Sequence, residues 1–323
     1  MMKQFFTALS LTLSAVATIF AAGNAAGQSF PTKPVRVIVP YAPGGSLDIV
    51  TRMLATRMTD RLGQPVIVEN RAGASGTIGT LAMVRSPADG YTLAVANLPA
   101  VSSVFVKNPP HDTDKDFSPV AGMYQTIYVL AVNGKLPARN FKEFLEYAKA
   151  NPGKMNYAAS FVTAQLPMIM LMNNAGVDLV GIQYKGSAPG MQALMTNEVQ
   201  AAFDLPGTLQ PLIKNGDARI IAVTSERRLP QLPDVPTTAE LGFPRVRAGG
   251  TVGIWAPAGT PSNITTQLGA AVIESLKSPD IVARIAADAS LQASLPPDEL
   301  MARYRSERAS WAEAAKAANF TPE

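Results

Sequence analysis

The chain has 323 residues, of which 47% are hydrophobic and 16% charged, and its formal net charge is +4. This length and apolar content allow a sizeable core and predict about two domains. The basic residues are scattered, with no run longer than Arg227-Arg228, which argues against a nucleic-acid partner. The absence of cysteine excludes disulfides, thiolate metal sites, cysteine nucleophiles and a lipid anchor on a cysteine.

Residues 1–27 have the features of a secretory signal peptide. Lys3 provides a positive N-terminal region, residues 5–22 are apolar, and the small residues at 23–27 suit a signal peptidase. A membrane anchor is the alternative, since the apolar run could almost span a bilayer, but no positively charged flank follows it. We therefore expect a protein that is exported to the periplasm.

The next element is a short β-branched run, Val35–Val39, which predicts a buried strand that ends at the prolines following it. Gly44-Gly45 then allow a ligand to approach the main chain closely. Ser46 is predicted as the N-cap of a helix that has Asp48 in its first turn and ends at Gly63. The free N–H groups of such a helix start attract anions, although an ordinary turn that binds nothing has the same pattern.

The following elements are predicted as a strand at 65–68, a helix at 77–84 and a strand at 91–96. This β-α-β-α-β order predicts a parallel sheet whose ligands sit at the carboxyl ends of the strands. Tyr41, Ala42 and Asn97 fall at such ends. His111, the only histidine, lies in a segment rich in proline and aspartate and is predicted to be a surface loop residue, unsuited to a metal site or a catalytic triad.

The second half repeats the pattern after an apolar strand at 127–132 that is predicted to cross into a second domain. Its strand ends are predicted at Ser160, Tyr184 and Asp204, and residues 160–165 form a loop before a methionine-rich helix at 167–174. A strand at 252–256 returns to the first domain, and the last helices are expected to pack on the outside of that domain.

The predicted fold is therefore α/β and two-lobed, with a mainly parallel sheet in each lobe and a ligand cleft between the lobes. The predicted first domain comprises residues 28–126 and 251–323, and the second, 127–250, is inserted into it.

The sequence lacks the common catalytic motifs, including H-E-x-x-H, G-x-S-x-G, Walker A and G-x-G-x-x-G. We therefore predict no enzymatic activity, no metal and no cofactor, and a site built for recognition of a small anion or zwitterion. Asp48 either caps its own helix or, with Asp204, accepts an ammonium group from an amino-acid ligand. The predicted ligand-binding residues share positions in loops that face the cleft: Tyr41, Ala42, Gly44, Gly45, Ser46, Asp48, Asn97, Ser160, Thr163, Gln165, Tyr184 and Asp204.

Three motifs carry a family resemblance over about residues 30–311. They are A-P-G-G-S-L-D at 42–48, L-P-D-V-P-T at 232–237 and A-P-A-G-T-P at 256–261. With them the chain resembles the Bug family of periplasmic solute receptors, the TctC-like components of tripartite tricarboxylate transporters. The resemblance implies a type II periplasmic-binding-protein (Venus-flytrap) fold that closes on a small carboxylate, held mainly by main-chain N–H groups and ordered waters.

The resemblance also implies the partners. They are a small organic acid or amino acid and the membrane subunits of a tripartite tricarboxylate transporter-type permease, and a monomer is expected. A receptor that reports its ligand to a membrane sensor kinase is the alternative, because the same pocket serves both.

Two segments depart from the family pattern. The turn at 97–100 reads N-L-P-A where the family usually has hydroxyl residues, and the loop at 159–165 is shorter and less polar than usual. From these changes we expect Leu98 and Phe161 to line a pocket for an aromatic or branched monocarboxylate. The loss of hydroxyl donors would weaken binding of a di- or tricarboxylate, by roughly 1.5–3 kcal/mol for each charge-assisted hydrogen bond.

Overall fold

A computed structural model describes residues 30–98, 102–160, 162–184 and 186–322. The predicted signal peptide, Phe161 and Lys185 lie outside this part of the chain. No helix within it is long and apolar enough to cross a bilayer.

The strands are β1 (Val35–Val39), β2 (Val66–Asn70), β3 (Thr92–Ala96), β4 (Phe117–Ile127), β5 (Val129–Asn133), β6 (Met155–Ala159), β7 (Leu179–Gln183), β8 (Ala201–Asp204), β9 (Ala218–Val223), β10 (Gly249–Pro257) and β11 (Leu291–Leu295). The α-helices are α1 (Ser46–Leu62), α2 (Thr77–Val84), α3 (Phe141–Ala150), α4 (Val162–Ala175), α5 (Ser187–Thr196), α6 (Pro206–Asn215), α7 (Ser262–Leu276), α8 (Pro279–Ala287) and α9 (Pro297–Ala317). A 3₁₀ turn at Ala74–Gly76 leads into α2.

The strands form two sheets, and this confirms the two-lobed α/β class. The first sheet has the order β11-β4-β10-β3-β1-β2 and the second has the order β7-β6-β8-β5-β9. In the first sheet β1 pairs in parallel with β2 and β3, and in the second sheet β6 pairs in parallel with β7 and β8. The carboxyl ends of each parallel set therefore lie along one edge of their sheet.

The expectation of mainly parallel sheets is wrong, because both sheets are mixed. The strand β10 is antiparallel to β3 and β4, β11 is antiparallel to β4, and β5 is antiparallel to β8 and β9. The physical reason is the crossing between lobes. A strand that enters a sheet through its ligand-facing edge, as β5 and β10 do, has to run against the parallel strands of that sheet.

The outgoing strands follow each other almost without a break, and hydroxyl groups bond them to the returning segment. One residue, Tyr128, separates β4 from β5. The Oγ1 atom of Thr224 lies 2.8 Å from the carbonyl oxygen of Tyr128 and 2.7 Å from that of Ala248, so it links the outgoing and returning segments. Thr126 Oγ1 makes a similar link, 3.0 Å from the carbonyl oxygen of Gly250 in β10. These bonds hold the two crossing segments side by side between the lobes.

Apolar clusters cover the faces of the sheets. In the first sheet, one face packs against α1 and α7, and the other buries Trp255 and Leu98 with Tyr304 of α9. The helix α1 is amphipathic and ends at Gly63, which takes a left-handed conformation with φ 65° and donates its N–H to Thr59. Burial of each large apolar side chain contributes about 1.5–3 kcal/mol.

The sequence predicts that the C-terminal helices pack on the outside of the first domain, but the last helix, α9, packs on both lobes. Its first half packs on β4 and β10, but Trp311 and Ala315 join the core cluster that contains α4 of the second sheet's lobe. The ring of Trp311 also contacts Phe105, at 5.3 Å between centroids. The exact domain boundaries, 28–126 with 251–323 and 127–250, stay a prediction, because α9 packs on both lobes.

Two helices begin at other residues than predicted, which changes the structural position of predicted site residues. The helix α4 begins at Val162, so Thr163 and Gln165 lie in its first turn and not in a loop. The helix α1 begins at Ser46 with Gly45 as N-cap, so Ser46 is not the cap residue. The sequence pattern does not predict the strand at 117–127. Its glycine, proline and polar residues interrupt the alternation of apolar and polar residues that indicates a strand.

Candidate functional site

The polar loops of both lobes come together at the carboxyl edges of the two sheets. In the first lobe these are the residues after β1, β2 and β3, and in the second lobe those after β6, β7 and β8. The crossing segments also start at these edges, since Ile127 pairs with Gly249 in one sheet and Val129 pairs with Asp204 in the other. The predicted site residues therefore occupy two edges joined by the hinge.

The glycine loop after β1 is exposed, and a hydrogen bond to the side chain of Asp48 holds it in place. The loop residues 41–45 are exposed, and a Cβ atom built on Gly44 or Gly45 would meet nothing within 4 Å. Asp48 is buried and accepts hydrogen bonds from the Gly44 amide at 2.9 Å, from Arg52 Nε at 3.0 Å and from Asn70 Nδ2 at 2.9 Å. Burial acts to raise the pKa of this carboxyl, but these bonds outweigh it and hold the pKa below its usual range.

This geometry favours a local role for Asp48 over a bond to a ligand ammonium group. Its oxygens are occupied by the loop, by Arg52 and by Asn70, so it fixes the shape of the loop and has little capacity left for a ligand ammonium group. The sequence had suggested a local role for Asp48, but Arg52 and Asn70 as its partners became apparent only from the structure.

Helix starts face the same edge. The N-caps Gly45 of α1, Gly76 of α2 and Gly186 of α5 make no side-chain cap hydrogen bond. The first N–H groups of a helix have no acceptor within the helix, so these starts offer donors and a partial positive charge. The arrangement is suited to a small anion.

The second lobe contributes Ser160, Thr163 and Gln165 around the start of α4. Ser160 is 7% exposed, and its Oγ has no hydrogen-bond partner within the described residues. The hydroxyl of Thr163 lies 2.8 Å from the hydroxyl of Tyr128 at the hinge. Gln165 is half-buried on the same helix. Of these three, Ser160 is the residue whose polar group is buried without a partner among the described residues.

Asp204 is fully buried at the end of β8. It accepts hydrogen bonds from the Ser187 hydroxyl at 2.8 and 2.7 Å, from the Leu205 amide at 2.7 Å and from Thr208 Oγ1 at 3.2 Å. Burial raises its pKa to about 6, and these hydrogen bonds oppose the rise. Asp204 therefore ties the starts of α5 and α6 to the sheet, and it lies beside the cleft without an arginine or lysine among its bonded partners.

Three tyrosines lie where the lobes meet. Tyr41 of the glycine loop is 36% exposed, yet burial of its hydroxyl raises its pKa. Burial also raises the pKa of Tyr124 and of Tyr128, and Tyr41 contributes to both shifts. Tyr184, by contrast, donates its hydroxyl to Glu198 at 2.8 Å, and burial together with this carboxylate raises its pKa to about 12. The hydroxyl of Tyr184 is thus engaged within its own lobe.

Asn97 follows β3, and its Oδ1 is buried without a partner in the described part of the chain. A Cβ atom on Gly250 would lie 2.3 Å from Asn97 Nδ2, so the amide lies directly on β10 beside the hinge. Asn97 Oδ1 and Ser160 Oγ are unsatisfied buried groups contributed by opposite lobes. Buried polar groups of this kind normally have a partner, which a water or a ligand would supply.

Two expectations from the sequence are wrong. Leu98 is completely buried in the core cluster of Trp255 and Tyr304, so it does not line a ligand pocket. His111 is 6% exposed and not a surface residue, because its Nε2 bonds Thr80 Oγ1 at 2.9 Å and its ring packs on Phe117. Both residues lie in loops, and their side chains pack beneath α2 and α9. A local sequence pattern does not reveal this packing.

The structure adds residues that the sequence did not indicate. Asp288 follows α8 and accepts a hydrogen bond from the Ser46 hydroxyl and one from Arg284 Nη2 at 3.1 Å. Tyr124 and Tyr128 are further additions. The only sequence signal for Asp288 was an acid directly after a predicted helix, which is too common to single it out. The part of the chain that the structure describes contains no cluster of three or more groups that could hold a metal ion.

Two α/β lobes, joined by crossing strands and presenting polar loops and helix starts to a shared edge, define a two-lobed periplasmic binding protein. Comparison with known proteins gives the family. Residues 50–309 match the model of the tripartite tricarboxylate transporter family receptor, TctC, and the chain belongs to this family.

Individual relatives agree with this assignment. Protein BugT of Bordetella pertussis is 34% identical over 303 residues, which cover 92% of this chain and 93% of BugT. The structure of the periplasmic binding protein BugD, 33% identical, superposes with a TM-score of 0.82 over 91% of this chain and all of BugD. An R. palustris protein solved with adipate, 30% identical, gives a TM-score of 0.85 over 91% of this chain and 100% of its own. The family consists of periplasmic solute-binding receptors and not of enzymes.

Proposed function

We propose that this protein is an extracytoplasmic receptor that captures a small carboxylate-bearing solute between its lobes and delivers it to a tripartite tricarboxylate transporter-type permease. The observation that carries the proposal is the pair of unsatisfied buried groups, Ser160 Oγ and Asn97 Oδ1, on facing lobes beside open helix starts. The adipate held by the R. palustris relative supports a carboxylate as the ligand class.

In this proposal the ligand carboxylate accepts hydrogen bonds from the amides of Gly45 and Ser46, and from the Ser160 hydroxyl. Asn97 Oδ1 accepts from a ligand hydroxyl or ammonium group, or from a water between them. Ala42 and Tyr41 cover the ligand from the side of the glycine loop. Charge-assisted hydrogen bonds of this type contribute about 1.5–3 kcal/mol each.

The lobes close on the ligand by bending at the crossing segments. Ligand binds the glycine loop of one lobe first, and the second lobe then adds Ser160. The closed state is stabilised only by the contacts that it adds to the ligand. Residues 1–27 direct the chain to the periplasm and are removed there, as the signal-peptide pattern predicts.

The first test is a thermal-shift panel of monocarboxylates, dicarboxylates, citrate and amino acids, after unfolding and refolding to remove any carried-over ligand. A ligand at one hundred times its dissociation constant adds about 2.7 kcal/mol to the free energy of unfolding, which moves the midpoint by several degrees. Small-angle scattering with the best ligand should show a smaller radius of gyration. A panel without any carboxylate response contradicts the proposal.

The variant Gly45→Ala tests the site directly. Gly45 has φ −74° and ψ 164°, which any residue adopts, and its Cβ would stand in open space. The fold should therefore keep its stability, while the new methyl group occupies the space of the ligand and lowers affinity at least tenfold. Gly242→Ala is the control, because Gly242 lies outside the proposed site and also has open space at its Cβ, although its φ of 88° costs some stability. Unchanged affinity in Gly45→Ala would place the ligand elsewhere.

A further inference from the structure

Asp288 lies in the region where the lobes meet and is 5% exposed. One carboxylate oxygen accepts a hydrogen bond from the hydroxyl of Ser46, the first residue of α1, and the other accepts one from Arg284 Nη2 at 3.1 Å. The Nε of Arg284 is buried and has no partner within the described residues. The carboxylate thus accepts hydrogen bonds from one hydroxyl group and one guanidinium nitrogen.

The same carboxylate lies against the other lobe. A Cβ atom built on Gly207 would be 2.3 Å from Asp288 Oδ1 and 3.0 Å from Asp288 Cα. Gly207 is the second residue of α6, whose N-cap Leu205 makes no side-chain cap hydrogen bond. Asp288 is therefore placed between the starts of α1 and α6, with an arginine beside it. Two helix starts, a hydroxyl and a guanidinium group are the set that would otherwise bind a free carboxylate.

The pair of Asp288 and Arg284 acts on the buried Tyr124 as a net negative charge. At Tyr124 the charge of Asp288 raises the pKa by more than the charge of Arg284 lowers it. Asp204, on the opposite wall, adds a second buried carboxyl group. Among the described residues, the arginines bonded to acids at this edge are Arg52 with Asp48, Arg71 with Glu69, and Arg284 with Asp288. A second ligand carboxylate would meet these acids with all three arginines already engaged.

We propose that Asp288 fills, from within the chain, the place of a second ligand carboxylate, so that this receptor takes solutes with a single carboxylate. The inference deepens the proposed function and rests on it. A ligand places its one carboxylate at the glycine loop and Ser160, and the remainder of the solute, apolar or bearing a hydroxyl or ammonium group, lies toward Asp288.

The test compares solutes of matched length by isothermal titration calorimetry: hexanoate with adipate, and 3-hydroxybutyrate with malate. The wild-type protein should bind the monocarboxylate of at least one pair at least tenfold more tightly than its partner. Asp288→Asn frees Arg284 and removes the negative charge, so the affinity for that dicarboxylate should rise at least tenfold. Asp280→Asn is the matched control, since Asp280 lies in α8, the helix that Asp288 follows, in an exposed ion pair with Arg57, and the change should leave both affinities unchanged.

A double variant, Asp288→Asn with Arg284→Gln, should lose the gain, because the freed guanidinium group is what receives the second carboxylate. The wild-type comparison needs no variant and stands even if Asp288→Asn folds poorly. If neither pair shows this tenfold preference for the monocarboxylate, this inference is overturned and the proposed function stays intact. A wild-type protein that binds none of these solutes, nor any carboxylate of the thermal-shift panel, contradicts the proposed function itself.

Discussion

The hydroxyl of Ser187 lies 2.8 and 2.7 Å from the two carboxylate oxygens of Asp204. Ser187 is the first residue of α5 and Asp204 the last residue of β8, so this contact ties a helix start to the end of a strand at the edge of the second lobe. The carboxylate is completely buried, and its charge is stabilised by hydrogen bonds and not by a bonded cation. Its ionisation should therefore affect the stability of the protein.

The first prediction concerns Asp204→Asn and pH. Burial raises the pKa of Asp204 from 3.8 to about 6 in the folded protein, so the folded state binds the proton more tightly than the unfolded state does. The stabilisation from this proton is complete below the unfolded pKa and is lost as the pH rises through about 6, an effect on the order of 3 kcal/mol. Asparagine does not titrate, so the stability of the variant relative to the wild type should increase as the pH rises from about 4 to about 7.

Urea unfolding at several pH values measures this difference. Asp234→Asn, at an exposed position, is the control and should show no comparable trend. A constant difference between Asp204→Asn and the wild type across this range would mean that the carboxyl group of Asp204 is not desolvated in the folded protein.

The second prediction has the opposite sign and concerns His111→Gln. Burial lowers the pKa of His111 below 6.5, and the charges of Asp112 and Asp116 oppose the shift only in part. The unfolded chain then binds the proton first, so the wild type should lose stability as the pH falls below about 6.5. Glutamine keeps a polar group for Thr80 and does not titrate. His111→Gln should therefore gain stability relative to the wild type on acidification, measured by the same unfolding series.

The third prediction separates binding from folding at Ser160. Its Oγ has no internal partner, so Ser160→Ala should leave the free energy of unfolding within about 0.5 kcal/mol of the wild type. Ligand affinity should fall about tenfold, because a hydrogen bond to the carboxylate is lost.

Ser275→Ala is the matched control for this prediction. Ser275 is also buried but donates to the carbonyl oxygen of Ala271 at 2.6 Å within α7. This variant should lose about 1 kcal/mol of stability and keep its ligand affinity. Calorimetric titration and unfolding of both variants decide the matter, and an unchanged affinity in Ser160→Ala would remove Ser160 from the site.

The fourth prediction concerns the hinge. Gly249 has φ 139°, and a Cβ atom there would lie 2.2 Å from the carbonyl oxygen of Thr126 on the neighbouring strand. Gly249→Ala should therefore cost roughly 2–4 kcal/mol, from backbone strain together with the clash. Gly242→Ala, which has a positive φ without any contact, should cost only about 1 kcal/mol. Equal costs in chemical unfolding would show that the crossing strands adjust without strain.

Regular elements were predictable because their signals are local. The run Val35–Val39, the left-handed Gly63 at the end of α1 and the order of strands and helices all depend on residues within one turn or one strand of each other. The family resemblance had the same basis, since its motifs are continuous stretches. Boundaries failed where the local signal was ambiguous, as at the start of α4, where Thr163 and Gln165 were expected in a loop.

By itself, the sequence determined the two-lobed α/β class, the glycine loop at Gly44-Gly45 and the absence of cysteine and of common catalytic motifs, because each is carried by neighbouring residues or by composition. Only the tertiary structure decided that Leu98 and His111 are buried, that Asp48 is held by Asn70, and that Asp288 reaches Ser46 across 242 positions of the chain. These features depend on residues distant in sequence, and they form only when separate strands, helices and loops of the chain pack together.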